Sequence, residues 1–310
     1  MTSLNEETTP TLRAGEAALD APPSGVVPTV PAGGKRRPLW RRFVGRPSNI
    51  FFLSALAVIC VAVAIGPFFA PDPVATSSDV LRAPGGAALL GTDQLGRDYF
   101  SRILLGGRVS LLVGFSVALL CMTLGLVLGG LAGFYGGFAD TALVKLSEFF
   151  QVLPGIVLAI VAAALFGSNI LLIVLILSIT MWPGVARIVR AEAMRIGQLG
   201  YVESARAAGI HSLRILWSDV LPNAMPPVLV ATTMTVGRAI LIESSLAFLG
   251  IGDANTPSWG ALLNAAQPYM ATGWWLAVLP GLCIFFVVLA VNMLGDSLND
   301  ILNPTIGRVK

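Results

Sequence analysis

Charge is scarce in this sequence: only 12% of its 310 residues are Asp, Glu, Lys or Arg, against 55% hydrophobic residues. A soluble domain needs more charge than that to cover its surface. With a mean hydropathy of +0.80, the composition is that of a polytopic membrane protein. Histidine is nearly missing, His211 being the single one, which argues against a His-based metal site or proton relay. Cysteine is limited to Cys60, Cys121 and Cys283, an odd number, each inside an apolar run. They read as small buried hydrophobes rather than disulfides or metal ligands. No paired-carboxylate, Ser/His/Asp or Cys/His set that could support catalysis is found, so no enzyme and no bound cofactor is expected. The net charge of +3 says little, and no nucleic-acid partner is expected.

Residues 1–34 have almost no large apolar side chains and are rich in Thr, Pro, Ala, Gly and Glu. Such a segment cannot offset its ordering entropy by burial, so a disordered cytoplasmic tail is predicted. It is not a secretory signal, because the basic cluster comes late and a run long enough to span a bilayer follows. Lys35, Arg36, Arg37, Arg41, Arg42 and Arg46 precede that run, at about 50–69. A Lys/Arg cluster on one flank holds that flank in the cytoplasm. Five further runs lie at about 109–133, 149–167, 170–186, 224–248 and 274–294. Six spans that start inside end inside, which puts both termini in the cytoplasm. Arg187, Arg190, Arg195, Arg206 and Arg214 fall in the predicted cytoplasmic loop 187–222. Loops 167–169 and 250–273 hold no Lys or Arg and are predicted external. The external loop 70–108 is the exception, with Arg82, Arg97, Arg102 and Arg108 softened by Asp72, Asp79, Asp93 and Asp98.

Only helices or closed barrels satisfy a backbone in lipid, and runs this long exclude barrel strands. The fold predicted is an all-α, six-helix transmembrane bundle over residues 48–303, between tails at 1–47 and 304–310. Gly125, Gly129 and Gly133 recur every fourth residue and make a smooth stripe for helix packing. Pro154 and Pro183 fall inside spans three and four, as kinks or as breaks that mark moving segments. Lys145 and Glu148, three apart, suit a local pair.

Gly91-Thr92-Asp93-Gln94-Leu95-Gly96-Arg97-Asp98 nearly mimics a phosphate-binding loop, with glycines five apart. Arg97 replaces the lysine, Asp98 replaces the Mg²⁺-binding hydroxyl, and the acids would repel phosphate. No nucleotide site is expected there. Arg238 and Glu243 are ionisable groups in or near the end of span five, where such groups face a cavity or a partner. Five residues apart, they point about 140° away from each other. Either lines a transport path or serves a structural or subunit contact. Tyr201–Pro222 is a polar island between apolar runs. Gly209 is a natural helix stop, Ser212 can cap a second helix at 213–220 with Leu213, Leu216 and Val220 on one face, and Pro222 suits the start of the next span. Two short helices joined by a tight turn are predicted, as a specialised element or an ordinary interfacial loop.

This island resembles the cytoplasmic EAA loop of permease subunits of ATP-binding-cassette (ABC) importers. It matches through Glu203-Ser204-Ala205, Gly209 and Leu221-Pro222, with Ser for the middle Ala and Asp219 at a position usually apolar. The stretches LLGTDQLGRDYFSRILLGGRVSLLVG, GFYGGFADTALVKL, ESSLAFLGIGDANTPSWGALL and WWLAVLPGLCIFFVVLAVNMLGDSLNDIL are similar to the second, C-type permease of the dipeptide/oligopeptide/nickel subfamily. The likeness runs from about residue 48 to the C-terminus. It implies a type I importer permease in the inner membrane with no chemistry of its own. Its partners would be a homologous permease, two cytoplasmic ATPase chains that bind ATP and Mg²⁺, and an external substrate-binding protein. Glu203 would pair with a basic residue of the ATPase, Ala205 would allow close approach, and Gly209 would form the turn. The cargo implied is a peptide; nickel or another small solute is the alternative, with no His- or Cys-rich lining to support nickel. An ion-coupled secondary transporter would need midplane carboxylates, for which Glu243 is the one weak candidate.

Overall fold

In the computed structural model, residues 46–302 are described, apart from 87, 254 and 255. The predicted tails 1–34 and 304–310 therefore lie outside the described residues. Among those described, helices carry the fold; the only β pairing is two isolated bridges, Gly85–Ala88 and Thr92–Asp98. The helices are α1 (Pro47–Ile65), α2 (Tyr99–Tyr135), α3 (Gly137–Val152), α4 (Gly155–Phe166), α5 (Ile170–Gly197), α6 (Gly200–Ala207), α7 (Ser212–Phe248), α8 (Trp259–Ala266) and α9 (Trp275–Leu302). Five of them, α1, α2, α5, α7 and α9, are long and apolar enough to cross a membrane, and the bent pair α3–α4 makes a sixth crossing if counted as one.

The long helices overrun the apolar stretches because their flanking charges are paired within the fold. α2 begins at Tyr99, ten residues before the run at 109, so the predicted loop 70–108 ends at Asp98. Arg102 bonds to Asp93 at 3.0 Å. Arg108 donates to the carbonyls of Val63 and Ala64 at the end of α1 and lies over the Phe68 ring. Arg97 pairs with Asp93 and Arg82 with Asp79, each at 2.7 Å. All four arginines that break the charge pattern thus have local partners, Arg97 and Arg102 sharing one carboxylate and Arg108 held by carbonyls and a ring. Likewise α5 runs past residue 186 to Gly197, with Arg190 pairing with Asp140 of α3. α9 extends eight residues past 294, and Arg46 bonds to Asp300 at 2.8 Å, closing the start of α1 onto the end of α9.

The predicted span 149–167 straddles a break, one of the two outcomes expected of Pro154. α3 and α4 meet at 74°, with Leu153 extended and Pro154 outside both helices. Proline disfavours helical geometry in the residue before it and offers no N–H. Pro183, by contrast, sits inside an uninterrupted α5. The loop 250–273, for which no helix is predicted, contains α8; Ser258 caps it by accepting from the Ala261 amide at 3.3 Å. Of the cysteines only Cys121 is fully buried, Cys60 and Cys283 being half-buried, and all three are free thiols.

α7 is the central element and packs along α2, α5 and α9, with α8 across its end. Small residues let this happen. A Cβ on Gly125 would lie 2.8 Å from Val185 Cγ1, while one on Gly129 or Gly133 would lie 2.4 Å from the carbonyl oxygen of Ala186 or Arg190. The stripe therefore faces α5, backbone against backbone. One apolar cluster (Val185, Val189, Ile196, Ile215, Leu216, Val220) fills the bundle end near residue 200. Another (Tyr99, Ile103, Trp259, Leu262, Trp275, Leu276) fills the opposite end. α4 fully buries only Ala159, with Leu158 and Ala162 partly packed beside it, and leaves much of its apolar surface facing outward.

Candidate functional site

The island at 201–222 is built from the turn outward. α6 starts after Leu199 and is nailed down by Val202, which is fully buried, while Ala205 packs partly against the same core. Its other face is open: Glu203, Ser204 and Arg206 are exposed. Ser204 Oγ donates to the Gly200 carbonyl at 2.8 Å, so Ser in place of Ala costs the helix no unpaired group. Arg206 lies 4.6 Å from the centroid of the Phe134 ring, tying α6 to the end of α2.

The stop after α6 requires glycine. Gly209 has φ of 77°, and its amide donates to Arg206 O at 3.0 Å while Ile210 N donates to Ala205 O at 3.1 Å. This pair of bonds is a Schellman cap, which satisfies the last carbonyls of the helix. His211 then accepts from Leu213 N through Nδ1 at 3.3 Å and caps the start of α7, in place of the predicted Ser212.

Residues 212–220 depart from the sequence expectation. They form no second free-standing short helix but are the first turns of α7. Ile215, Leu216 and Val220 are buried, whereas Leu213, expected on that apolar face, is 43% exposed. Pro222 does not start a span but lies inside a continuous helix, just after a π-turn at Leu216–Val220. Proline breaks the regular bonding at this point, and the wider turn absorbs the mismatch. Asp219 sits half-exposed in that turn, with its Oδ2 accepting from Ser218 Oγ at 2.7 Å. It points away from the core, so an acid is harmless there. The result is one rigid edge, in which α6 and α7 share buried anchors on either side of a glycine turn. Tyr201, Ile210, Leu213 and Trp217 expose apolar surface beside Glu203, Arg206 and Arg214. An apolar patch rimmed by charge is the usual surface of a protein docking site.

The structure separates the other two candidates. Glu243 is 2% exposed and accepts from Ser110 Oγ at 3.1 Å and Ser244 Oγ at 3.3 Å. Ser110 Oγ in turn accepts from the Trp259 amide at 3.3 Å. Glu243 is a clamp joining α2, α7 and α8, buried between them within the subunit. Arg238 is exposed on the opposite side of α7. Sequence reasoning missed this clamp because Ser110 lies 133 positions from Glu243 and nothing in the order of residues pairs them, although Ser244 is adjacent and Ser258 before an apolar run is a helix-start signal.

The near-phosphate loop 91–98 is a structural cap at the far end of α2. Asp93 is buried, its Oδ1 accepting from Leu95 N at 2.8 Å and Arg97 N at 3.0 Å and its Oδ2 from Arg97 Nε, while Arg102 forms an ion pair with Oδ2. Gly91 and Gly96 have positive φ, and a Cβ on either would meet a carbonyl oxygen at 2.5 Å or closer. The spacing of the glycines reflects these two turns. Trp275 Nε1 donates to Thr92 O at 3.3 Å, and Tyr99 OH to Leu276 O at 2.6 Å.

Comparison with known proteins agrees with this architecture. Residues 125–308 match the family described as binding-protein-dependent transport system inner membrane component. The chain is 38% identical over 273 residues to the glutathione transport system permease protein GsiD of Pectobacterium atrosepticum, covering 86% of this chain and 90% of that one. It is 37% identical to the di/tripeptide transport system permease protein DppC of Pseudomonas aeruginosa, with 86% and 90% covered. The dipeptide transport system permease protein DppC of Bacillus subtilis is 36% identical, with 87% and 85% covered. Among solved structures, the inward-facing MetNI methionine ABC transporter overlays with a TM-score of 0.53 at 18% identity, over 64% of this chain and 95% of that one, which shows a shared fold. The chain belongs to the family of inner membrane permease components of binding-protein-dependent transport systems, as a multi-pass membrane protein with the type I ABC importer permease fold.

Proposed function

We propose that this chain is the permease subunit of an ATP-driven importer for peptides, and that it receives the work of ATP hydrolysis through the edge formed by α6 and the start of α7. The observation that carries this is the construction of that edge. Exposed Glu203, Ser204 and Arg206 stand on a short helix whose other face is pinned by Val202 and whose end is locked to α7 by the Gly209 turn. A push on such an element moves α7 as a body, which is what rigid-body gating requires. The peptide cargo follows the relatives named for di- and tripeptides and for glutathione, itself a tripeptide.

In this reading ATP and Mg²⁺ bind to two cytoplasmic ATPase chains, and this chain catalyses nothing. A homologous permease completes the path, a binding protein delivers cargo from outside, and both termini face the cytoplasm. The buried, serine-held Glu243 weighs against an ion-coupled carrier, since it is the one carboxylate at depth on α7.

The test is Glu203→Arg and Gly209→Pro in the assembled transporter. Proline cannot adopt φ of 77°, and it removes the amide that donates to Arg206 O. Both variants are expected to cut ATP-dependent peptide uptake by roughly tenfold or more, equivalent to about 1.4 kcal/mol of coupling. Glu203→Arg should do so without loss of folded protein, since its side chain is exposed. Unchanged uptake and unchanged ATPase association would refute the coupling role. Competition of uptake by dipeptides, longer peptides and nickel identifies the cargo.

A further inference from the structure

α7 carries one face that is largely open from Asn223 to Phe248, with Val230 the buried exception. Near its start, Asn223 and Pro227 line a cavity of about 370 Å³, shared with Glu192 and Arg195 of α5 and Asn299 of α9. Near its end, Leu241, Ser245 and Phe248 line a groove of about 510 Å³. Between them Met234 and Arg238 are exposed on this face, and Leu229 on the opposite one. Projected on a helix, these positions fall within about 80° of one another. A single stripe therefore joins the cavity at one end of the bundle to the groove at the other.

Arg238 is the only charge on that stripe, and its depth can be read from its place in α7. A Cβ on Gly114 would touch Ile240 and lie 3.4 Å from the Val236 carbonyl, so Arg238 is level with Gly114. Arg238 lies two residues from the middle of the apolar run 224–248, whose 25 residues are long enough to cross a hydrocarbon core of about 30 Å. Arg238 stands at the midplane. Among the described residues it makes no ion pair or hydrogen bond, while Arg82, Arg97, Arg102 and Arg108, toward the far end of α1, each have a partner. A guanidinium so far from either surface is not left against lipid; it faces an aqueous path or an opposing charge.

We infer that Arg238 is the fixed cation of the transport path and meets the carboxylate of the passing peptide at the midplane. This rests on the chain being a peptide permease. A peptide's backbone is neutral at its middle but ends in a carboxylate, and a guanidinium forms a bidentate pair with that group. The stripe otherwise offers apolar and neutral polar contacts, which suit cargo of varied side chains.

The experiment compares wild type, Arg238→Lys and Arg238→Gln in the full transporter with its binding protein. Uptake is measured for one tripeptide as the free acid and as its C-terminal amide. The readout is the acid-to-amide ratio of each variant divided by that of wild type, which removes the binding protein's own preference. Arg238→Gln should lower this ratio by roughly tenfold, the scale of one charge-assisted pair at about 1.4 kcal/mol, and Arg238→Lys should restore most of it. A ratio unchanged in Arg238→Gln overturns the assignment. So does loss of the partner permease from the purified Arg238→Gln complex, which would make Arg238 a subunit contact. If wild type takes up neither peptide form, it is the peptide reading that fails.

Discussion

Gly129→Val is expected to prevent assembly of a stable subunit. Its Cβ would lie 2.4 Å from the Ala186 carbonyl oxygen and 3.1 Å from Val189 Cβ. The nearest obstacle is backbone, so no rotamer change relieves it; α2 and α5 must separate. Ordinary overpacking costs about 1–3 kcal/mol, and parting two helices along a shared stripe costs more because Gly125 and Gly133 lose contact as well. The check is the yield of monodisperse complex and its melting temperature in detergent. Gly197→Ala is the matched control, since its Cβ would meet Phe134 at 3.7 Å, an ordinary contact. If the two substitutions melt alike, close approach at Gly129 is not what holds α2 to α5.

Asp93→Ala should be nearly as damaging, for an electrostatic reason. The carboxylate serves two arginines and two backbone amides from a site that is 2% exposed. Removing it strands Arg102, itself 8% exposed, beside Arg97. Breaking a buried pair by deleting one partner costs about 3–5 kcal/mol. The expected result is a lowered melting temperature together with fast proteolysis between residues 77 and 98. Asp93→Asn keeps the shape and some acceptor capacity, so it should fall between the two. Equal protease resistance in all three proteins would show that the cap is held by its turns and not by its ions.

Much of the fold is legible in composition. Apolar runs locate the membrane-crossing helices, and the spacing from Glu203 to Pro222 marks the edge where α6 meets α7. The helix ends are not legible, because a hydropathy run stops at the first charge and a helix does not. Arg102, Arg108, Arg187, Arg190 and Arg195 all lie inside helices. Pro154 and Pro183 show the limit of local rules. Both follow apolar residues, yet one breaks the chain by 74° and the other is carried through. Packing decides, and α5 at Pro183 is buried against α2 and α7, whereas α4 is barely covered. The role of Glu243 is invisible in the sequence for the same reason: Ser110 is 133 positions away, and only folding brings it between Glu243 and the Trp259 amide.

The cap over α2 also sets a schedule for the growing chain. Its ion cluster is local, within residues 93–102, and can close as soon as those residues emerge. Its two outward ties, Thr92 to Trp275 and Tyr99 to Leu276, span 183 and 177 positions. At about 5–20 residues per second, a ribosome needs roughly 10–40 s to make that intervening chain. For that interval α2 waits with Trp275's seat empty, and Asp93 alone keeps its arginines quiet.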